Sequence, residues 1–484
     1  MVARLVIVSN RVALPGSRQA GGLVVAVKAA LRGRQGVWCG WSGRVTEDAP
    51  VTPEVIEGKN LNYVALDLST ADYHEYYNGF ANSVLWPVLH YRTDLAEYTR
   101  SDLTGYIRVN SYFADQVSRF LRPDDVVWVH DYHLMRFARK LRAAGHDNPI
   151  GFFLHIPCPP PDILLALPQH AETIGALAAF DLVGFQTEND ATNFGAYLET
   201  CGATVVRAGR IYELDGRRIH IGAFPVGISG AIYARAARSA EHTQFIQDVL
   251  DSLGGRKLLL GVDRLDYSKG IVQRMQAFEH FLEKSEDWRN RVTFLQITPK
   301  SREEARGYRE MEQSVTGLVG QINGRFGEAS WTPIRYVNRS HSRKTLAGVY
   351  RIADVALVTP LRDGMNLVAK EFVAAQDEAD PGVLILSQFA GAAAQLDGAM
   401  IVNPHEKEGM AGAIRRALEM PLVERIERHR KMLRSVVEDD IDRWANEFLS
   451  RLSEARQKWS LLDGLRQMLS GFSMEDRPAG KKTA

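Results

Sequence analysis

The sequence has few cysteines and no excess of charge of either sign. Its three cysteines, Cys39, Cys158 and Cys201, are odd in number and widely spaced, so they form neither a disulfide framework nor a zinc-binding pattern. Such cysteine usage fits a reducing compartment, and we expect a cytoplasmic protein. Lys and Arg total 59 and Asp and Glu total 58. The chain therefore lacks the basic excess typical of nucleic-acid-binding proteins, and we expect no nucleic-acid partner.

Long apolar runs are also missing. No stretch approaches the roughly 18 apolar residues that a transmembrane helix requires, and we expect no membrane association. The apolar run Leu5–Val8 is too short for the core of a signal peptide. With 484 residues, of which 45% are hydrophobic, the chain has globular composition and is too long for one ordinary core. Length therefore predicts two or three domains.

Short apolar runs alternate with longer amphipathic runs, a pattern typical of βαβ units and parallel sheets. Because the runs are continuously apolar, they predict strands that are covered on both faces. The predicted strands are Leu5–Ser9, Val126–His130, Ile150–His155, Leu182–Gln186, Leu258–Val262, Thr293–Thr298, Val355–Thr359 and Val383–Ser387. The predicted helices between them include Asp131–Ala144, Ile271–Glu283 and Leu367–Gln376.

Two segments depart from this alternation. Residues Arg210–Pro225 are predicted to form a hairpin that turns at Asp215 and Gly216. Residues Leu68–Tyr91 are rich in aromatic side chains and show no regular period. We predict a long irregular insertion there, and insertions of this kind within α/β domains are often functional.

The first series of units ends near residue 230, and a new strand begins close to Lys257. We therefore predict an N-terminal domain over residues 1–230 and a C-terminal domain over residues 231–439. A last helix, over about residues 440–470, has an apolar stripe that includes Trp444, Phe448 and Leu452. The polar residues 474–484 are predicted to be a disordered tail.

Two motifs at strand ends have the chemistry of a diphosphate site. Gly21 and Gly22 are predicted to open a helix, where a backbone without side chains can approach a diphosphate. Their spacing is not that of a nicotinamide-nucleotide site, and a simple turn explains them equally well. Arg264 and Lys269 follow a buried strand and can clamp phosphate oxygens. For this pair alone, ordinary solvated charges remain the simpler interpretation.

The segment Leu361–Glu371 carries the most specific pattern. Asn366 is a predicted N-cap, so the amides of the first helical turn, those of Leu367, Val368 and Ala369, are predicted to face a phosphate. Asp363 before the helix can accept a sugar hydroxyl, and Glu371 within it can accept ribose hydroxyls. An exposed acid, a glycine, a cap and a second acid in one segment favour a functional site over an ordinary capped helix.

Histidine and aspartate residues follow two strands of the first domain. His130 and Asp131 end one strand and His155 ends the next, so both motifs are predicted to line the same cleft. These residue types also bind metals, but no spacing matches a known zinc site, and sugar hydroxyls are equally good partners. A D-x-D pattern occurs only at Asp440-Ile441-Asp442, in an acidic helix start. We therefore predict no metal and no other cofactor.

Together these motifs resemble the trehalose-6-phosphate synthase family of retaining glycosyltransferases. The resemblance covers roughly residues 3–455. It rests on V-S-N-R, G-G-L, E-Y-Y-N-x-F-x-N-x-x-L-W-P, H-D-Y-H-L, G-F-F-L-H-I-P, G-F-Q-T-E-N-D, R-L-D-Y-S-K-G and T-P-L-R-D-G-M-N-L-V-A-K-E. It implies the GT-B architecture, an α/β fold of two Rossmann-like domains whose parallel sheets face each other across a cleft. It also implies that the last helix returns to the first domain.

The resemblance implies a role for each matching residue. The donor-binding residues are expected to be Gly22, Arg264, Lys269, His341, Asn366, Leu367, Val368, Ala369, Lys370 and Glu371. The acceptor-binding residues are expected to be Arg11, Trp41, Tyr77, Trp86, Asp131 and Arg302. The residues expected at the reaction centre are Arg264, Lys269, Asp131, His155 and Asp363. One departure is Cys158, which stands where the family pattern has an aromatic residue.

The implied reaction transfers glucose from a nucleotide sugar to glucose 6-phosphate and retains the α configuration. UDP-glucose is the expected donor, although the residues leave GDP-glucose and ADP-glucose open. A related synthase acting on glycerol 3-phosphate or a cyclitol phosphate is the main alternative. A non-catalytic sensor of sugar phosphates is a more distant one. We also expect a homo-oligomer.

Overall fold

The structure is a computed structural model that describes residues 3–16, 22–48, 52–299 and 306–455, without the side chains of residues 306–309. Arg302 and the predicted tail, residues 474–484, lie outside the described residues. Within the described ranges the chain forms an α/β fold with two sheets. No helix in these ranges has both the length and the apolar character needed to span a bilayer.

The first sheet has ten strands, in the order β3-β4-β2-β1-β5-β6-β7-β10-β9-β8. They are β1 (Leu5–Arg11), β2 (Gly36–Thr46), β3 (Glu54–Ile56), β4 (Leu61–Ser69), β5 (Val126–His130), β6 (Ile150–Phe153), β7 (Leu182–Phe185), β8 (Thr204–Arg207), β9 (Ile211–Leu214) and β10 (Arg217–Ala223). The strands from β4 to β10 pair in parallel, whereas β3, β9 and β8 pair antiparallel at the two edges. The predicted parallel sheet is thus confirmed at the centre, and the antiparallel pair of β9 and β10 near one edge is the predicted hairpin.

The second sheet has six strands, in the order β13-β12-β11-β14-β15-β16, and its pairings are all parallel. They are β11 (Lys257–Val262), β12 (Val292–Ile297), β13 (Ile334–Val337), β14 (Val355–Val358), β15 (Val383–Ser387) and β16 (Met400–Val402). The order places β11 beside β14, so the loops after these strands are neighbours at the carboxyl edge. Two Rossmann-like domains confirm the predicted fold class.

Helices cover the two faces of each sheet. Those of the first domain are α1 (Gly22–Ala30), α2 (Thr70–Asp72), α3 (Trp86–Leu89), α4 (Arg100–Ser118), α5 (Phe137–Ala143), α6 (Pro161–Leu165), α7 (His170–Thr173) and α8 (Glu188–Thr200). The following helices are α9 (Gly230–Ala240), α10 (Gln244–Leu253), α11 (Ile271–Lys284), α12 (Arg306–Phe326), α13 (Arg343–Ile352), α14 (Leu367–Ala375), α15 (Lys407–Leu418), α16 (Leu422–Glu438) and α17 (residues 441–455).

The eight predicted strands all form, each within two residues of its predicted ends. In β1, Val6 and Val8 enter one core and Leu5 and Ile7 enter the other. This is the two-residue period of a strand that is buried on both faces. The predicted hairpin also forms, and Asp215 and Gly216 both have positive φ at its turn, 51° and 74°.

Two segments differ from the sequence prediction. The insertion predicted to be irregular is helical from Thr70 to Leu89, and Tyr73–Leu85 within it is a π-helix. The sequence of this segment lacks the period of an α-helix because the side chains of a π-helix do not repeat every 3.6 residues. The helix predicted to begin at Asp131 begins later, at Phe137, after a 3₁₀ turn over Tyr132–Leu134.

The last helix, α17, packs on the first sheet rather than on the second. Phe448 stacks on Trp128 of β5 with ring centroids 4.4 Å apart, and Trp444 lies 4.9 Å from the same ring. Glycine makes room for this packing, because a Cβ on Gly151 or on Gly184 would lie 2.7 Å from the ring of Phe448. Over its described residues, 441–455, the last helix therefore packs on the first domain.

We propose a domain boundary near residue 230. The packing supports it, since residues 228–436 supply two cores of the second sheet while residues 5–226 and 441–452 supply those of the first. The chain therefore crosses between the domains twice. The two crossings touch, because a Cβ on Gly227 would overlap the backbone of Asp439 and Asp440.

The contact between Phe448 and β5 gives the first prediction. Phe448→Ala is expected to lower the free energy of unfolding by about 3–5 kcal/mol, because it removes a fully buried aromatic ring and leaves a cavity over two glycines. Urea unfolding followed by tryptophan fluorescence measures the change. Glu447→Ala, at the exposed neighbouring position, is the matched control. Equal unfolding midpoints for the two variants would contradict this role of α17.

Candidate active site

The carboxyl ends of the central strands of both sheets face one cleft. Arg11 ends β1, and Asp131 and His155 follow β5 and β6. Across the cleft, the loop that follows β14 packs on the loop that follows β6. A Cβ on Gly364 would lie 3.0 Å from the Cα of Ile156, so only glycine allows the two backbones to approach this closely. The cleft lies where ligands bind in open α/β sheets.

Two helix N-termini meet at the same place. A Cβ on Gly22, the first residue of α1, would lie 2.8 Å from Cδ1 of Leu367, the first residue of α14. Each helix end carries a partial positive charge and amides that no carbonyl of its own helix satisfies. Gly22 and Leu367 therefore flank a position suited to an anion.

The cap of α14 differs in detail from the prediction. Asn366 accepts a hydrogen bond from the amide of Ala369 at 3.3 Å, which confirms it as the N-cap. The Ala369 amide is thus engaged in the cap, whereas it was predicted to face a phosphate. The amides of Leu367 and Val368 lie at the helix end. Asn366 has φ +73°, a conformation that costs energy for a residue other than glycine and that often marks functional sites.

The R-L-D-Y-S-K-G loop and the segment after β14 form one site. Lys269 Nζ lies 2.5 Å from Asp363 Oδ2, and both side chains are 13% exposed. Asn366 Nδ2 donates to the same oxygen at 3.1 Å. Gly270, with φ +64°, lets the loop lie against Thr359, where a Cβ would overlap the carbonyl oxygen. Two motifs that lie 94 residues apart in sequence are thus joined by an ion pair.

Arg264, five residues before Lys269 in the same loop, is exposed. Its guanidinium is 5.9 Å from the ring of Trp86, which belongs to the first domain and is 4% exposed. The predicted donor-side cation and the predicted acceptor-side tryptophan therefore meet across the cleft.

Glu371 is held by two tyrosines that the sequence analysis did not identify. Tyr233 Oη donates to Oε1 at 2.6 Å, and Tyr350 Oη donates to Oε2 at 3.2 Å. Burial raises the pKa of Glu371 from its usual value, and the two tyrosine hydrogen bonds oppose that rise. Each carboxylate oxygen retains a lone pair, so Glu371 can still accept hydroxyls from a ligand.

Lys370, although predicted with the donor site, directs its side chain to the interdomain crossings. Its Nζ donates to Val226 O and to Gln395 Oε1, both at 2.7 Å, and the residue is 1% exposed. Gln395 in turn donates to Asp439 Oδ2 at 2.9 Å. Burial lowers the pKa of Lys370 to about 7. The side chain therefore links α14 to both crossings.

Three of the predicted acceptor residues, Arg11, Trp41 and Tyr77, form an arginine–aromatic cluster. The guanidinium of Arg11 lies 4.8 Å from the ring of Trp41, and the ring of Trp41 lies 5.4 Å from that of Tyr77. Tyr77 also stacks on His133 at 6.0 Å. Trp41 is 3% exposed and donates its indole N–H to Arg44 O at 2.7 Å, so its ring is held in a fixed position within the cluster.

Asp131 and His155 are directly connected. The amide of His155 donates to Asp131 Oδ1 at 3.2 Å, and Asp131 has φ +75°. The ring of His155 also contacts His130, whose Nδ1 lies 3.1 Å from His155 Nε2. Burial lowers the pKa of His155 to about 3, so its ring is neutral at physiological pH.

His341 lies after β13, and its ring is 5.4 Å from that of Phe245. Burial, with a contribution from Arg339, lowers its pKa. Its predicted contact to the nucleotide remains a prediction. Cys158, the departure from the family pattern, is buried, and its amide donates to Asp190 Oδ1 at 2.8 Å. The position is therefore anchored through its backbone.

Among the described residues, no group of three or more His, Cys, Asp or Glu side chains is arranged to hold a metal ion. The D-x-D pattern supplies acidic residues at the start of α17, as predicted. Asp440 accepts a hydrogen bond from the amide of Arg443 at 2.8 Å, and Asp442 pairs with Arg32 at 3.1 Å.

Comparison with known proteins agrees with this geometry. The profile of glycosyltransferase family 20 matches residues 6–454. The chain belongs to glycosyltransferase family 20. It is 48% identical over 462 residues to the trehalose-6-phosphate synthase of Sinorhizobium fredii, covering 94% of this chain and 100% of that protein.

Two solved structures of relatives carry ligands. A UDP-forming α,α-trehalose-phosphate synthase from Burkholderia xenovorans in complex with glucose 6-phosphate is 47% identical, with a TM-score of 0.90 over 93% of this chain and 100% of that one. An E. coli structure with bound UDP-2-fluoro glucose is 44% identical, with a TM-score of 0.89 over 93% and 99% of the two chains. These similarities extend over both domains and the cleft between them.

Proposed function

We propose that the protein transfers glucose from UDP-glucose to glucose 6-phosphate and forms α,α-trehalose 6-phosphate. The observation that carries this proposal is the meeting of a cationic, helix-capped site with an arginine–aromatic pocket across one cleft. Lys269, Arg264 and the N-terminus of α14 form the first, and Arg11 and Tyr77 form the second. The ligands of the two related structures, glucose 6-phosphate and UDP-2-fluoro glucose, have the chemistry that these two sides fit.

Breaking the donor's glycosidic bond develops negative charge on the leaving diphosphate. Preorganised cations and helix dipoles stabilise such charge when they are fixed before the reaction. Lys269 and Arg264 supply the cations, and α14 supplies the dipole. In the structure Lys269 pairs with Asp363. We infer that the diphosphate replaces Asp363 as the partner of Lys269, which frees Asp363 to accept a hydroxyl of the donor glucose.

Retention of the α configuration is part of the proposal. A double displacement requires a carboxylate nucleophile next to the anomeric carbon. Asp131 accepts the His155 amide, and Asp363 is paired with Lys269 and Asn366. Both carboxylates are therefore engaged in other interactions, and neither is positioned to act as a nucleophile. We therefore propose attack on the same face as departure, with a leaving-phosphate oxygen taking the proton of the acceptor hydroxyl.

We assign the acceptor phosphate to Arg11, Tyr77 and Arg302, and the acceptor hydroxyls to Asp131 and Trp86. The donor nucleotide is assigned to Gly22, Glu371 and the first turn of α14. The packing of Arg264 on Trp86 supports a cleft in which donor and acceptor lie next to each other. A synthase with another phosphorylated acceptor would retain the donor side and differ in the arginine–aromatic pocket, whereas a sensor would bind both sugars without turnover.

Location and assembly remain proposals. Cys39, Cys158 and Cys201 are free thiols, which supports a cytoplasmic location. A homo-oligomer is proposed as well, and light scattering on the purified chain measures it.

An activity assay tests the proposed function and its independence of metal. Purified protein is treated with EDTA and incubated with UDP-, GDP- or ADP-glucose and with glucose 6-phosphate, glycerol 3-phosphate or a cyclitol phosphate. We expect turnover of UDP-glucose with glucose 6-phosphate at the same rate as with protein that has not been treated with EDTA. A different preferred acceptor would support the alternative synthase. Loss of turnover that a divalent ion restores would refute the metal-independent mechanism.

Lys269→Ala is expected to lower kcat by about 10²–10³-fold, because it removes one preorganised group that stabilises the leaving diphosphate. Donor affinity is expected to fall less, by about tenfold, since Arg264 and α14 still bind the diphosphate. Single-turnover rates at saturating donor separate the two effects. Lys284→Ala, at an exposed lysine at the far end of α11, is the control. A normal chemical rate with only weaker donor binding would show that Lys269 binds the donor but does not accelerate the reaction.

Arg302→Ala and Arg11→Ala are each expected to raise the acceptor KM by roughly tenfold to hundredfold, because each removes a charge-assisted hydrogen bond worth about 1.5–3 kcal/mol. The donor KM is expected to change little. Initial rates with each substrate varied in turn give both constants. Lys28→Ala, at an exposed cation of α1, is the matched control. Equal effects on both substrates would show that the arginine is misassigned.

A further inference from the structure

His130, the buried last residue of β5, and His155, which follows β6, form a pair whose protons can be assigned. His130 Nδ1 lies 3.1 Å from His155 Nε2, and His130 is fully buried. Burial lowers the pKa of His155 to about 3, and burial together with His155 holds the pKa of His130 well below its ordinary value. Both rings are therefore neutral. One proton lies between them, and either ring can be its donor.

The two arrangements leave different atoms without a partner. If His155 donates, His130 must carry its own proton on Nε2. That atom is buried and has no hydrogen-bond partner among the described residues. If His130 donates, the same Nε2 carries only a lone pair. Buried N–H groups without a partner are rarer in proteins than buried acceptors without one, because such a donor loses its hydrogen bond to water and forms no other.

The surroundings of His130 favour the second arrangement further. The indole N–H groups of Trp128 and Trp444 are also buried and also lack a partner in the part of the chain that the structure describes. Their rings lie 4.7 and 6.3 Å from the ring of His130. Indole nitrogen can only donate. A proton on His130 Nε2 would add a third buried donor without a partner beside the two indole N–H groups. A lone pair on Nε2 instead places an acceptor beside them.

We propose that His130 is a positioning residue that holds His155 in the tautomer with its proton on Nδ1. His130 donates to His155 Nε2, so Nδ1 is the ring nitrogen of His155 that remains for a ligand. His155 then donates a hydrogen bond to an oxygen of the donor sugar and does not accept one. The identity of that sugar rests on the proposed function, whereas the tautomer rests on the pair alone.

A fixed donor has a chemical consequence. A hydroxyl oxygen that accepts from His155 must direct its own proton elsewhere, toward an acceptor such as a carboxylate. The His155 amide already bonds Asp131, and Trp444 of α17 lies 6.1 Å from the His155 ring. The ring is therefore held by β5, β6 and the returning helix together. Neutral histidines oriented by an outer hydrogen bond are a common means of fixing a tautomer.

Nitrogen NMR of the full-length chain with ¹⁵N-labelled histidine rings tests the tautomer directly. We expect His155 to show a protonated Nδ1 and an unprotonated Nε2 in the absence of any substrate. His130→Phe and His155→Gln identify the signals by their loss. A protonated Nε2 on His155 in the unaltered protein would overturn the proposal.

Substitutions test the consequence for turnover. His130→Phe keeps an aromatic ring but removes the hydrogen bond, and we expect kcat to fall about tenfold, the scale for losing an outer partner of a functional histidine. His130→Asn places an amide N–H close to the position of Nδ1, and we expect it to recover most of the rate and the Nδ1-protonated signal of His155. His170→Phe is the control, since His170 bonds Tyr197 on α8, away from the cleft.

The outcomes separate this proposal from the proposed function. If His130→Phe keeps the Nδ1 proton on His155 and the normal rate, His130 does not set the tautomer. If His130→Phe and His130→Asn lose activity equally while the tautomer of His155 is unchanged in each, the role of His130 is only packing. If the tautomer is as stated but no trehalose 6-phosphate forms with any donor, the proposed function fails and the tautomer assignment stands.

Discussion

The return of α17 to the first sheet is the constraint on which the cleft depends. Phe448 fills the space above Gly151 and Gly184 and stacks on Trp128, so the chain that has built the second domain is anchored again on the first. Two chain crossings then join the domains at one side. With one side joined, the carboxyl edges of both sheets are held facing each other, and substrate groups bound on opposite sides can meet.

The joined side is connected to the site through α14. The helix begins at Asn366 in the cleft, and its Lys370 bonds Val226 in one crossing and reaches Asp439 in the other through Gln395. A ligand that binds the first turn of this helix therefore acts on an element that is fixed to both crossings.

Sequence reasoning reached the parts of the site that are local. The strand followed by Asp363, a capping asparagine and a helix could be predicted because each feature depends on neighbours a few residues away. The tyrosines that hold Glu371 could not, since Tyr233 lies 138 residues from its partner and reads as an ordinary buried tyrosine. The π-helix of Tyr73–Leu85 was missed because its period differs from that of the common helix.

The sequence by itself determined the two-domain α/β fold, the motifs at the strand ends and the family. Apolar period, capping residues and charged groups after buried strands are all encoded within short windows. Only the tertiary structure decided which of those groups meet: the pairing of Lys269 with Asp363, the bond of His130 to His155, and the bond of Lys370 to Val226 at the interdomain crossing. Contacts between distant segments depend on sheet order and on the return of α17, and no short window of sequence contains either.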